Sequence, residues 1–158
     1  MANIFAGSEI VEMGIQIERN GFAFYDALIK KSKNAKASQV FEFLAKEEKE
    51  HIAVFEKMLG SVQKYEPQEA YPGEYFAYMR ALAGDYVFTK KDQGAKAAME
   101  AKGDKEAVIL GMGFEKDSIL FYEGMKKAVP PADTGILDKL IAQEEKHLSK
   151  LSELKGRL

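Results

Sequence analysis

Apolar residues fall at helical spacing along four long stretches of this chain, with few breakers inside them. The first, SEIVEMGIQIERNGFAFYDALIKKSK, opens at Ser8, a candidate N-cap, and closes in lysines that suit a helix C-terminus. The second, AKASQVFEFLAKEEKEHIAVFEKML, follows Asn34, another candidate N-cap, and reaches Gly60, a candidate C′ residue, with Pro67 beyond. So short a link makes the two an antiparallel hairpin. A third stretch runs from Asp104 to Val129, where Pro130 and Pro131 end it and seed a fourth, from Ala132 to Lys155. At 1.5 Å per residue each is about 37 Å long. Matched lengths suit a bundle.

The pattern changes from Ser61 to Gly103. This connection holds five of the seven tyrosines, Tyr65, Tyr71, Tyr75, Tyr78 and Tyr86, and two short helical segments around GEYFAYMRALAG and KDQGAKAAMEAK. The tyrosines are expected to pack the crossover onto the bundle or to form a dimer surface. Two hairpins joined by one long crossover is the ferritin-like topology. The expected fold is therefore all-α, one domain over residues 1–158, with hairpin 8–60, crossover 61–103 and hairpin 104–156.

The two hairpins are copies of each other. A shift of 97 residues lays VEMGIQIERNGFAFYDALIKK on VILGMGFEKDSILFYEGMKKA, matching Gly14 with Gly111, Glu18 with Glu115 and Phe24-Tyr25 with Phe121-Tyr122. A shift of 96 matches Leu44, Glu48, His51 and Gly60 with Leu140, Glu144, His147 and Gly156. Glu47 falls on Gln143, so the repeated unit is Glu48-x-x-His51 and Glu144-x-x-His147. These are the only two histidines in the chain.

Composition narrows the chemistry. A length of 158 residues, 46% of them apolar, is enough for one domain with a real core. A net charge of −2 and a pI near 5.8 leave no basic face for a nucleic acid. No stretch has the length of a membrane span, and MANIFAGSEI lacks the basic and apolar regions of a signal peptide, so a cytoplasmic location is expected. With no cysteine, the chain offers no disulfide, thiolate or iron–sulfur ligand, and any metal must be held by nitrogen and oxygen.

The repeated glutamates face the core. Glu18 shares its helical face with Gly14, Ile15, Gly21, Phe22 and Tyr25, and Glu115 with Gly111, Met112, Ser118, Ile119 and Tyr122. Glu48 has Leu44, Ala45, Ile52 and Phe55 around it; Glu144 has Leu140, Ile141, Leu148 and Leu151. An unpaired buried carboxylate costs several kcal/mol, and nothing basic with this periodicity lies on those faces. Two divalent cations meet the need, since they balance four carboxylates while two neutral imidazoles fill further coordination sites. A glutamate from each of two helices plus Glu-x-x-His from each of two others is a di-metal carboxylate site. Its donors fit iron or manganese.

The segments IERNGFAFY, LAKEEKEH, FEKDSILFY and IAQEEKH resemble the four helix motifs of the rubrerythrin branch of the ferritin-like superfamily, over the whole chain. The resemblance implies two iron ions, with Glu18 and His51 terminal ligands of one, Glu115 and His147 of the other, and Glu48 and Glu144 bridging. Tyr25 and Tyr122, two turns past Glu18 and Glu115, are candidates to hydrogen-bond a ligand carboxylate or pass an electron. Met13, Met58, Met112 and Met125 read as packing residues. Two departures stand out: rubrerythrins proper carry a rubredoxin-like unit with four cysteines, and a further helix glutamate where this chain has Ser118. The implied activity is reduction of hydrogen peroxide with electrons from a separate donor such as a rubredoxin or a flavoprotein, in a homodimer. Oxidation of iron by dioxygen and ferritin-like iron storage are the competing expectations.

Overall fold

The computed structural model describes residues 7–62 and 73–158, and among them it contains helices and no strand. Six α-helices follow in order: α1 (Gly7–Lys31), α2 (Ala35–Val62), α3 (Glu74–Asp85), α4 (Gln93–Glu100), α5 (Asp104–Met125) and α6 (Pro131–Gly156). Helices α1 and α2 pack as one hairpin, α5 and α6 as the other, and α2 meets α6 across the bundle. This is a ferritin-like arrangement. Tyr65 and Tyr71 of the crossover lie outside the described residues.

Helix ends follow local chemistry, with three departures from the sequence reading. Asn34 caps α2 as expected, its Oδ1 accepting from the Ala37 amide at 3.0 Å. Ser8 lies inside α1, which already includes Gly7. Gly60 does not stop α2: the helix runs two residues further, to the buried Val62. Burial of that valine favours the extension, and a glycine permits a left-handed stop without requiring one. The third long helix ends at Met125 and tightens into a 3-10 turn over Lys126–Ala128. Val129 is extended (φ −115°, ψ 155°) because Pro130 disfavours helical geometry in the residue before it. Pro131 opens α6, where a missing N–H costs nothing.

Asn20 stitches the crossover to the bundle. This buried α1 residue donates through Nδ2 to the carbonyls of Phe88 (2.7 Å) and Lys90 (2.6 Å) and accepts at Oδ1 from the amides of Gln93 and Gly94 (3.0 Å each). It thus caps α4 from another helix, where the local N-cap residue, Asp92, makes no side-chain cap. Gly94 allows the approach, since a Cβ there would collide with the Asn20 backbone. Lys31 closes the other end of α4 by donating to the carbonyls of Ala98, Met99 and Ala101. Tyr75 and Tyr86 tie the crossover to α5 through the carbonyls of Gly124 (2.6 Å) and Phe114 (2.9 Å). Tyr78 is exposed.

Phe24, Phe41, Phe55, Phe121, Leu28 and Leu44 fill the core with almost no exposure. Each contributes about 1.5–3 kcal/mol by leaving water. The same core encloses four glutamates and two histidines.

Candidate metal centre

Four helices bring the six sequence-predicted residues together: Glu18 from α1, Glu48 and His51 from α2, Glu115 from α5, Glu144 and His147 from α6. All are buried, the most exposed, Glu48, to only 4%. They form two overlapping groups whose ligand atoms lie within 4.8 Å of one another: Glu18, Glu48, His51 and Glu144 in one, Glu48, Glu115, Glu144 and His147 in the other. Glu48 and Glu144 belong to both.

The inward nitrogen of each ring is Nδ1. His51 Nδ1 lies 2.9 Å from Glu144 Oε1 and 3.5 Å from Glu18 Oε2. His147 Nδ1 lies 3.2 Å from Glu48 Oε1, 3.5 Å from Glu144 Oε2 and 3.7 Å from Glu115 Oε1. These contacts are close but not aligned as hydrogen bonds. Among the described residues, Glu18 Oε2, Glu48 Oε1, Glu115 Oε2, both Glu144 oxygens and both Nδ1 atoms are buried with no hydrogen-bond partner. Leaving such atoms unsatisfied costs about 1–3 kcal/mol each, more where they are charged. A divalent cation in each group satisfies them, and the mixed oxygen and nitrogen donors suit iron or manganese. The residues present therefore fit a two-metal centre.

Tyr25 and Tyr122 cross-brace the groups. Tyr25 Oη donates to Glu115 Oε1 at 2.6 Å, and Tyr122 Oη donates to Glu18 Oε1 at 2.6 Å. Each phenol thus holds the glutamate of the opposite hairpin, not the one on its own helix. Burial, then the nearby carboxylates, raise both phenols well above the ordinary tyrosine range, so they stay protonated and act as donors.

In the metal-free chain, protons do the neutralising. Burial and the charges of Glu144, Glu18 and Glu115 hold Glu48 well above the usual carboxylate range. Burial and Glu144 push Glu115 up to about 8. Burial also opposes charge on Glu18, but the neighbouring Glu48 carboxyl and the charge of His51 win and lower it. Glu144 is lowered as well, because contacts with Glu115, His147 and His51 outweigh burial and Glu18. Burial alone would discharge the imidazoles; the facing carboxylates prevail, raising His51 to about 11, chiefly through Glu18 and Glu144, and His147 to about 10, chiefly through Glu115 and Glu144. Two ionised carboxylates against two imidazolium rings sum to zero charge. Two divalent cations with four carboxylates and neutral rings reach the same zero.

The fold and this donor set define the class: a ferritin-like four-helix bundle whose core can hold two metal ions through carboxylates and imidazoles. The rubrerythrin family model matches residues 9–155, and the chain belongs to that family of di-iron carboxylate proteins. It has no match among curated proteins or among solved structures.

Four residues of the site's surroundings escape sequence reasoning. Tyr86 is buried and places its Oη 2.8 Å from Ser118 Oγ; with its own proton given to the Phe114 carbonyl, Ser118 is the donor between them. Gly21 gives Glu48 its seat, since a Cβ there would stand 2.7 Å from Glu48 Oε2. Gln143 and Glu47 stand behind the histidines, with Gln143 Oε1 at 2.7 Å from His51 Nε2 and Glu47 Oε2 at 3.8 Å from His147 Nε2. The mismatch of Glu47 with Gln143 in the repeat was a usable signal for the last pair. Nothing in the pattern singles out Tyr86 from the other crossover tyrosines.

Proposed function

We propose that this chain is a di-iron oxidoreductase that reduces hydrogen peroxide to water with electrons from a separate donor protein, a rubredoxin or a flavoprotein. The observation that carries it is the pair of overlapping donor groups sharing Glu48 and Glu144 in a member of the rubrerythrin family. Glu18 and His51 would hold one ion, Glu115 and His147 the other, and Glu48 and Glu144 both. Bound there, two ferrous ions supply two electrons, one each, the number that converts hydrogen peroxide and two protons into two waters.

The protein's own groups set the conditions. Tyr25 and Tyr122 fix one oxygen of Glu115 and of Glu18, leaving Oε2 of each free for the centre. Preorganised ligands need no reorganisation when charge changes. Their phenol protons are buried, with no lysine or arginine among the nine buried polar and charged residues described. A surface cavity of about 440 Å³, lined by Phe43, Glu47, Gln143, Lys146 and His147 among others, opens beside the buried ring of His147.

Anaerobic mixing of the diferrous protein with hydrogen peroxide and, separately, with dioxygen tests the reading. Oxidation by peroxide is expected to be much the faster. Equal or reversed rates would move the assignment to iron oxidation or storage.

A further inference from the structure

The inner donors of the two hairpins match, but what stands behind the two imidazoles does not. The rings of His51 and His147 stack with centroids 5.8 Å apart and planes 18° from parallel, both turning Nδ1 inward and Nε2 outward. Each outer partner comes from the other hairpin's Glu-x-x-His helix: Gln143 of α6 serves His51, and Glu47 of α2 serves His147. One is a neutral amide and the other a carboxylate. Glu47 keeps a side-chain exposure of 22%, and its one ion pair among the described residues is with His147. Its charge is not diverted to a lysine.

An imidazole that binds a cation through Nδ1 must carry its proton on Nε2. Positive charge then moves onto the ring, and the Nε2 proton becomes a stronger donor. A carboxylate facing that proton stabilises the charge more than an amide oxygen does, since charge-assisted hydrogen bonds are about twice as strong as neutral ones. At 3.8 Å Glu47 is within ion-pair distance but makes no hydrogen bond, and His147 Nε2 is buried with no other partner, so Glu47 is the carboxylate that faces its proton when His147 becomes the stronger donor. His51 has the shorter contact but the weaker partner.

Resting on the two-metal reading above, we propose that Glu47 is a positioning residue that makes the two metal positions unequal, so that the His147 position fills first and holds its ion more tightly than the His51 position. Loss of such an outer partner typically costs 10–100-fold in metal affinity.

Cobalt(II) added anaerobically to the metal-free protein tests this without any turnover. Crystals grown at one equivalent should show anomalous density concentrated beside Glu115 and His147. Glu47→Gln should spread it evenly over both positions and weaken the tighter of the two stepwise dissociation constants by about tenfold. Gln143→Glu alone should tighten the weaker step, and the exchange E47Q/Q143E should move the first ion beside Glu18 and His51. A merely structural role for Glu47 would not relocate an ion. Even loading in the wild type, or a first ion that stays beside His147 in the exchange variant, would overturn the inference while leaving the two-metal reading intact. Failure of the wild type to bind cobalt at all would overturn that reading instead.

Discussion

Hairpin α1–α2 and hairpin α5–α6 present the same donors to the centre and different neighbours behind them. Glu18 answers Glu115, Glu48 answers Glu144, His51 answers His147, and Tyr25 answers Tyr122 with a mirrored hydrogen bond. Behind them the pairs diverge: Asn20 against Asp117, Gly21 against Ser118, Glu47 against Gln143. The cause is the cover each half receives. Asn20 is buried beneath α4 and needs an amide that satisfies four backbone groups, whereas its counterpart Asp117 is exposed beside the crossover's other helix. Charge balance at the centre constrains both halves alike; packing outside it does not.

The two halves are least separable at the shared carboxylates. Glu48→Ala or Glu144→Ala should abolish metal uptake at both positions, because each residue belongs to both donor groups. Glu18→Ala or Glu115→Ala should spare one ion, since each belongs to one group. Metal analysis of the four variants checks this, and full occupancy of one position in Glu48→Ala would contradict the sharing.

Protons occupy the centre in the absence of metal. Glu48 and Glu115 are raised above 4.5 and both imidazoles above 6.5, so across neutral pH the folded metal-free chain binds more protons than the unfolded one. Stability must then fall as pH rises. The Glu115 contribution is lost towards about 8, and those of His147 and His51 towards about 10 and 11. Glu18 and Glu144, lowered in the fold, act oppositely but only as pH drops below 4.5. In denaturant titrations the metal-free protein should lose stability steadily from about pH 6 to about pH 9, by about one proton's worth or more per pH unit. Metal should flatten that slope, because its uptake at neutral pH displaces about four protons.

Gly21 offers an asymmetric break. A methyl group there would stand 2.7 Å from Glu48 Oε2, so the carboxylate must shift to make room, and that carboxylate belongs to both donor groups. Gly21→Ala should therefore weaken metal binding by about tenfold or more and cost the fold about 1–3 kcal/mol. A normal metal content with unchanged melting would show that Glu48 has room to spare.

How far these differences were legible depends on what each residue does. The four long helices and the facing of the six donors follow from periodicity and an internal repeat, because burial enforces both. Asn34 announced its cap by residue type, and capping is local. Asn20 did not, since its partners lie 68 to 74 positions away, in a crossover whose placement no local pattern encodes. Glu47 is the instructive case: the repeat that singles out Glu48 discards its neighbour as the unmatched member, and the structure sets that unmatched member behind His147. A break in a repeat carries information of its own kind.

The smallest effect belongs to Ser118, the counterpart of Gly21 and the position where related rubrerythrins carry a further glutamate. Its hydroxyl is buried but occupied, donating to Tyr86 Oη at 2.8 Å, while Tyr86 gives its own proton to the Phe114 carbonyl. Ser118→Ala therefore removes one neutral hydrogen bond and leaves Tyr86 its other partner. The cost should be about 1 kcal/mol in denaturant titrations. A neutral hydroxyl committed to a tyrosine is a poor substitute for an anionic ligand, so metal content and the order of loading should not change. By the same reasoning both His51 and His147 should stay at the centre in the reduced and oxidised protein, since no spare carboxylate stands at position 118 to displace either. Structures of the two redox states check that half, and metal analysis of Ser118→Ala the other. Loss of an ion in that variant, or an oxidised form in which His51 has let go, would mean that position 118 takes part in binding after all.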